Sequence, residues 1–255
     1  LPGNVASATA GAFSVDNSCR FNDGDSPKLT RTLGTASDRD KWTFSAWVKL
    51  CKVGEQGVFF GDIDANNYTN IQFGSTGKLE LYNHLSGSAS TNIKTTRLFR
   101  DFSAWYHIVI VYDSGNATEG NRVKFYVNGV EETSFSTETY PAQDADSAIN
   151  AADAHEVGAK LGGYSFDGYM AEVCFVDGQA YAASDFGEFD SRSPTIWKPK
   201  DVSELTFGDN GFYLDFKDSD NLGDDESGNS LDFTETNIDA TDQATDTPTN
   251  NFCTL

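Results

Sequence analysis

The side chains with the most chemical reach in this 255-residue chain gather in two loops and at a few aromatic positions. DIDANNYTN places Asp62, Asp64, Asn66 and Asn67 in one short span, a density of oxygen donors that suits calcium, which takes about six to eight oxygen ligands. A second set, Asp224, Asp225, Glu226 and Asn229, lies in DDESGN. Neither segment follows the EF-hand spacing with its closing glutamate, and both also read as Asx turns carrying solvated acids. Tyr68, Tyr82, Asn83 and Tyr164 form the other candidate set. Aromatic faces stack on the apolar faces of sugars and amides hydrogen-bond their hydroxyls, so these four are candidates for carbohydrate binding. Trp105 and Phe166 are assigned to the core.

Other chemistry finds less support. His84, His107 and His155 lie in unrelated segments, and neither a GxSxG elbow nor a phosphate-cradling Walker loop is present. Alternation puts His107 on one strand face with Val109, Val111 and Asp113, where it reads as a structural residue. Cys19, Cys51, Cys174 and Cys253 form no CxxC pair, which argues against zinc; free thiols are the expectation, with two bridges in an oxidising compartment the alternative. With 39 acidic against 18 basic residues the formal charge is −21, which repels phosphate backbones and anionic headgroups, so nucleic acid is excluded as a partner. No apolar run approaches the ~20 residues of a membrane-spanning helix, and no membrane insertion is expected. The opening LPGNVASATAGAF lacks the basic and apolar regions of a secretory leader, so the chain is expected to begin inside a longer protein.

The elements that must position these residues are strands. WTFSAWVKL alternates, with Trp42, Phe44, Ala46, Val48 and Leu50 on one face and Thr43, Ser45, Trp47 and Lys49 on the other; it reads as a half-buried strand with one tryptophan outward. Short runs follow at 58–62, 68–73 and 78–85, separated by Gly, Asn, Asp and Ser turn chemistry. YHIVIVYD is apolar enough to be a central strand, and Asn128-Gly129 between two alternating runs predicts a hairpin. The stretch from Ser134 to Ala154 reads as a long connection. GYMAEVCFVDG alternates Tyr169, Ala171, Val173 and Phe175 against Met170, Glu172, Cys174 and Val176. Helical periodicity is absent apart from a short turn at AASDFGEF. The prediction is an all-β fold, a two-sheet antiparallel jelly-roll sandwich over 17–235, with an N-terminal extension (1–16) and a polar tail or linker to a further domain (236–255).

The order WTFSAWVKL, WYHIVIVYD, VKFYVNGVEE, FDGYMAEVCFVDGQAYAASDF resembles the concanavalin A-like lectin and glucanase superfamily, in its laminin-G-like and pentraxin-like branch, over roughly 17–190. Glucanases of that superfamily carry catalytic carboxylates in an ExDxxE strand. The nearest match here, Glu188 and Asp190, ends in Ser193 where the last glutamate belongs and runs into the loop-like SRSP, so the resemblance implies no enzyme. Over nearly its full length, through NSCRFNDGDSPKLTRT, RDFSAWYHIVIVYD, NGFYLDF, LGDDESGN and TDTPTNNFCTL, the chain also resembles structural proteins of marine bacteriophages. That likeness implies a virion tail fibre, appendage or decoration protein: a homo-oligomer whose partners are other virion subunits and host surface polysaccharide, with calcium as the one candidate cofactor.

Overall fold

The computed structural model describes residues 13–160 and 163–251. Its framework grows outward from β3 (Lys41–Leu50), whose Trp42, Phe44, Ala46, Val48 and Leu50 all enter the main core, as alternation requires. The neighbours of β3 are β8 (Tyr106–Asp113) and β13 (Gly168–Asp177), both antiparallel. Beyond β8 lie β9 (Val123–Val127) and β10 (Val130–Glu131), and beyond β13 lie β1 (Ser18–Phe21) and β18 (Gln243–Ala244), with β16 (Phe212–Leu214) also on β13. The turn between β9 and β10 has Asn128 at φ 48° and Gly129 at φ 77°, the left-handed pair that a two-residue hairpin demands.

The second sheet runs in the order β11 (Phe135–Thr139), β7 (Ser88–Thr95), β6 (Leu79–Leu85), β5 (Asn67–Phe73), β4 (Gln56–Asp64), β12 (Ala154–Val157), β2 (Lys28–Thr32) and β17 (Thr234–Thr236). All its pairings are antiparallel, and the non-sequential neighbours make the two sheets a jelly-roll sandwich. Phe rings fill the space between the sheets: Phe44 stacks on Phe59 at 5.0 Å, and Phe59 meets Phe175 and Phe212 at 5.6 and 5.7 Å. A short helix, α1 (Ala183–Phe186), leads into a small two-stranded sheet, β14 (Gly187–Phe189) with β15 (Trp197–Pro199).

Three sequence expectations are corrected. Trp47 does not face solvent: it is 4% exposed, packed with Val15, Trp105 and Ala171 beneath a second layer formed by sequence-distant segments. The alternation in β13 breaks at Glu172, whose φ of 49° marks a bulge in the pairing with β3. The extra residue reverses parity, so Met170 shares the main core with Val173 and Phe175 while Ala171, Cys174 and Val176 face the outer layer. The expected connection after Ser134 opens instead with edge strand β11, anchored by Phe135 edge-on to Phe125 at 5.7 Å. Its Ser/Thr/Glu composition hides it, because an edge strand needs few apolar side chains.

The polar stretch from 236 onward lies on the sandwich as far as 251. Asp246 accepts from Lys49 Nζ at 2.7 Å and from Trp105 Nε1 at 3.0 Å, on the outer side of the first sheet. Val15 closes the same region: its N–H donates to Thr249 Oγ1 at 3.0 Å, and its carbonyl accepts from Thr247 Oγ1 at 2.7 Å. Cys19 and Cys174 are buried free thiols and Cys51 an exposed one; Cys253 lies outside the described residues.

Candidate functional site

Residues directly opposite one another in antiparallel strands share a face, so register alone defines what the outer surface of the second sheet carries. Ile71, Phe73, Leu79, Leu81 and Ile93 point into the core. The intervening positions therefore point out, and they form one row across all eight strands: Thr234, Thr30, Glu156, Phe60, Asn70, Tyr82, Asn92 and Thr139. On one side of the row lie Asp62, Tyr68 and His84, and on the other Gln72, Glu80 and Lys94.

Two chemistries meet on this face. Tyr68, Tyr82 and His84 make a half-buried aromatic surface beside Phe60, which is only 4% exposed; Tyr68 stacks on His84 at 5.0 Å and Tyr82 lies at 6.1 Å from both. Burial among these neighbours raises the Tyr68 phenol above its usual pKa. Interleaved with the rings are buried oxygens without a hydrogen-bond partner: Thr30 Oγ1, Asp62 Oδ1, Asn70 Oδ1, Gln72 Oε1 and Asn92 Oδ1, five of the eight such side-chain atoms among the described residues. Asn70 is only 4% and Gln72 only 7% exposed. Such groups are ordinarily satisfied in folded proteins, and their concentration on one face marks it. Toward β2 the face deepens into a cleft of ≈ 270 Å³ lined by Lys28, Phe60, Asp62, Glu156, Lys160 and Ser165. Lys28 is paired with Glu156 there. Desolvation, then Asp153, Asp64 and Glu156, push the Asp62 carboxyl above its ordinary pKa.

The expected carbohydrate residues divide. Tyr68 and Tyr82 sit together on this face. Asn83 is 0% exposed and points the other way, its amide spent on Thr69 Oγ1 at 2.7 Å and the Asp146 carbonyl at 3.4 Å. Tyr164 lies apart from the rings, 45% exposed, with Lys160 Nζ 4.5 Å from its ring centre at the cleft margin. Asn70, Gln72, Asn92, Phe60 and His84 were not singled out from the sequence. The signal was the outward register of NYTNIQF and LELYNHL, which reads Tyr-Asn-Gln and Glu-Tyr-His.

The calcium candidates Asp64, Asn66 and Asn67 are engaged within their own turn. Asp64 closes the β4–β5 turn, accepting from Asn66 N–H at 2.7 Å and Asn67 Nδ2 at 2.9 Å, while Asn67 Oδ1 accepts from Ser86 N–H at 2.8 Å. Those hydrogen bonds hold the Asp64 carboxyl below its usual pKa. Among the described residues no group of three or more His, Cys, Asp or Glu side chains could hold a metal. In DDESGN, Asp225 is a buried loop organiser that accepts backbone N–H groups from Tyr213, Ser227 and Leu231, and Asn229 donates to Gly208 and Gly211. Glu188 pairs with Lys198 at 3.1 Å, and Asp190 caps its own turn through Arg192 and Ser193 N–H. His107 is fully enclosed, and burial drives its pKa down to about 3.

Comparison with known proteins follows this geometry. A protein from Bacteroides ovatus assigned as carbohydrate-binding superposes with a TM-score of 0.60 at 16% identity, covering 91% of this chain and 60% of that one, so this chain spans less than two thirds of that relative. A heptameric pentraxin of Limulus polyphemus (TM-score 0.48, 19% identity, 67% of this chain, 80% of that one) also matches. So does domain 4 of an extracellular arabinanase from Geobacillus stearothermophilus, solved with arabinotriose (TM-score 0.49, 21% identity, 64% and 72%). No curated protein matches. Residues 22–184 match the profile described as the concanavalin A-like lectin/glucanases superfamily, and with the two-sheet jelly roll this places the chain in that family.

Proposed function

We propose that this chain is a non-catalytic glycan-binding module of a bacteriophage virion, in a tail fibre, appendage or decoration protein, and that the outer face of the second sheet holds host surface polysaccharide. The observation that carries the reading is the interleaving of half-buried rings with recessed, unpartnered oxygens across one face: the rings stack on sugar C–H surfaces, and side-chain adjustment brings the oxygens to sugar hydroxyls. Aromatic pairs with convergent polar groups are what a carbohydrate surface requires. The virion assignment is supported by the sequence likeness described above. Copies arranged around a particle, as a homo-oligomer beside other virion subunits, convert weak single-site binding into stable attachment through avidity.

Catalysis is left out of the reading because the ExDxxE pattern is broken at Ser193, Glu188 is paired with Lys198, and Asp190 caps its own turn. The test is a glycan array and a whole-cell pull-down, each run with calcium and with chelator, using the native protein and Tyr82→Ala. Retention on polysaccharide or cells, lost in Tyr82→Ala, is the expected result. Blank arrays and pull-downs in both conditions sink the receptor reading and leave an assembly module. Release of reducing sugar from a bound polymer, abolished in Glu156→Gln, overturns the non-catalytic assignment.

A further inference from the structure

We infer that the glycan held on this face is a neutral, hydroxyl-rich chain laid across the strands, and that the face rejects acidic glycans. The inference rests on the binding reading above and goes further, because it specifies both the charge and the path of the ligand. The first ground is the kind of atom left open. Four of the five unpartnered atoms on the face are carboxylate or amide oxygens, the fifth being the Thr30 hydroxyl, which can donate or accept; for Gln72 the choice is fixed, since its Nε2 already donates to Glu80 Oε2 at 3.0 Å. Carboxylate and amide oxygens accept hydrogen bonds, so the matching ligand brings donors, which sugar hydroxyls are and carboxylate or sulfate groups are not. These oxygens are recessed, so a hydroxyl that reaches them does so with water excluded, where a mismatch is most costly.

The second ground is charge. The cations near the row are committed to carboxylates: Lys28 to Glu156, Lys94 to Glu80 at 3.1 Å, and Lys160 to Glu55 at 3.6 Å. Asp62 faces the cleft and forms no ion pair among the described residues, in a chain of net charge −21. An anionic sugar would meet a carboxylate where the lysines near the row are already paired, and like charges brought together in a partly dry site repel strongly.

The third ground is the path. Phe60, Asn70, Tyr82 and Asn92 alternate ring and amide on four successive strands of one register row, with Phe60 and Asn70, each 4% exposed, recessed as its floor and Tyr82 and Asn92 half-buried. Neighbouring strands lie ~4.8 Å apart, close to the advance per unit of an extended pyranose chain, so a glycan crossing the strands meets a new partner at every strand. A glycan running along one strand would meet no such repeat.

The experiment is titration calorimetry of the purified chain with neutral oligosaccharides of increasing length, and with uronic, sialylated and sulfated oligosaccharides of equal length. Neutral chains should bind with affinity rising with each added unit, and acidic ones should bind at least about tenfold more weakly. Asp62→Asn should narrow that gap. Asn70→Asp, which adds a charge at the centre of the row, should weaken neutral binding, with melting curves confirming that both variants fold. Equal or tighter binding of acidic chains, still lost in Tyr82→Ala, overturns the inference while leaving the binding face intact. Affinity flat beyond one sugar overturns the path. Binding unchanged by Tyr82→Ala, Asn70→Asp and Asn92→Ala removes the face itself, and no binding of any glycan removes the functional reading beneath it.

Discussion

Trp197 Nε1 donates to His107 Nδ1 at 3.0 Å, and this one contact fixes the state of the most reactive-looking histidine in the chain. Indole nitrogen only donates, so Nδ1 must be the acceptor and Nε2 carries the proton toward Ser45 Oγ at 2.8 Å. Stacked between Trp47 at 4.8 Å and Trp197 at 6.0 Å, the ring is a neutral brace joining the first sheet to the layer above it.

The brace predicts acid sensitivity. Burial lowers His107 from 6.5 to about 3, and His155 to about 4 by desolvation chiefly. The unfolded chain therefore binds protons that the folded one refuses. Stability from both groups is complete above about pH 6.5 and is lost as pH falls toward 3 to 4, each contributing up to ~1.4 kcal/mol per pH unit within its window. Thermal melts of His107→Gln against the native chain between pH 4 and 8 should show a shallower acid slope in the variant; parallel slopes would mean His107 protonates in the folded state.

Glu172 acts with the opposite sign. Desolvation raises its carboxyl from 4.5 to about 7, while the Tyr213 hydroxyl, 2.6 Å away, donates to it. The folded chain holds a proton that the unfolded chain releases between about pH 4.5 and 7, so stability declines as pH rises through that window. Glu172→Gln keeps an acceptor for Tyr213 without the charge. Its stability relative to the native chain should be near parity at pH 4.5 and higher by about 1–3 kcal/mol at pH 8, read by denaturant unfolding.

Asp246 holds the end of the described chain against the first sheet through Lys49 and Trp105. Lys49 is 2% exposed and also donates to Asn251 Oδ1 at 3.0 Å, so removing Asp246 takes the carboxylate from a buried charge that keeps other contacts, at a cost of about 1.5–3 kcal/mol. Asp246→Ala should lower the melting temperature and open the segment after β18 to protease. The double variant Lys49→Met, Asp246→Leu should recover much of the loss; no recovery would show that the ion pair itself, and not the stranded charge, is the stabilising element.

The open oxygens of the second sheet predict a trade between stability and binding. An unsatisfied buried polar group costs about 1–3 kcal/mol, and replacement by a similarly shaped apolar group removes that cost. Asn70→Leu should therefore raise the melting temperature by about 2–4 °C while weakening glycan retention. A variant less stable than the native chain would mean that Asn70 is satisfied within the fold.

Alternation and turn chemistry made the scaffold readable in the sequence. Trp42 to Leu50 faced inward as read, and Asn128-Gly129 folded as its chemistry demands. What the sequence concealed has physical causes. Trp47 and Lys49 sit on a polar-looking face that distant segments cover, and no local pattern reports such cover. The bulge at Glu172 reversed the faces of a strand whose composition is apolar on both sides. At the candidate face, parity separates two of the expected residues: Tyr82 and Asn83 are consecutive in a strand and point to opposite faces, and the amide that shares the face of Tyr82 is Asn70, directly opposite in register. Pairing is a long-range property, so that partner is invisible until the strands are laid side by side.

Val15 and Thr249 meet through a hydrogen bond on the outer side of the first sheet, while the ring-and-oxygen row occupies the outer side of the second. Chain leading into the sandwich and chain leading out of it thus share one pole, and the row looks out from the other. A partner seated over Val15 and Thr249 would leave that row uncovered.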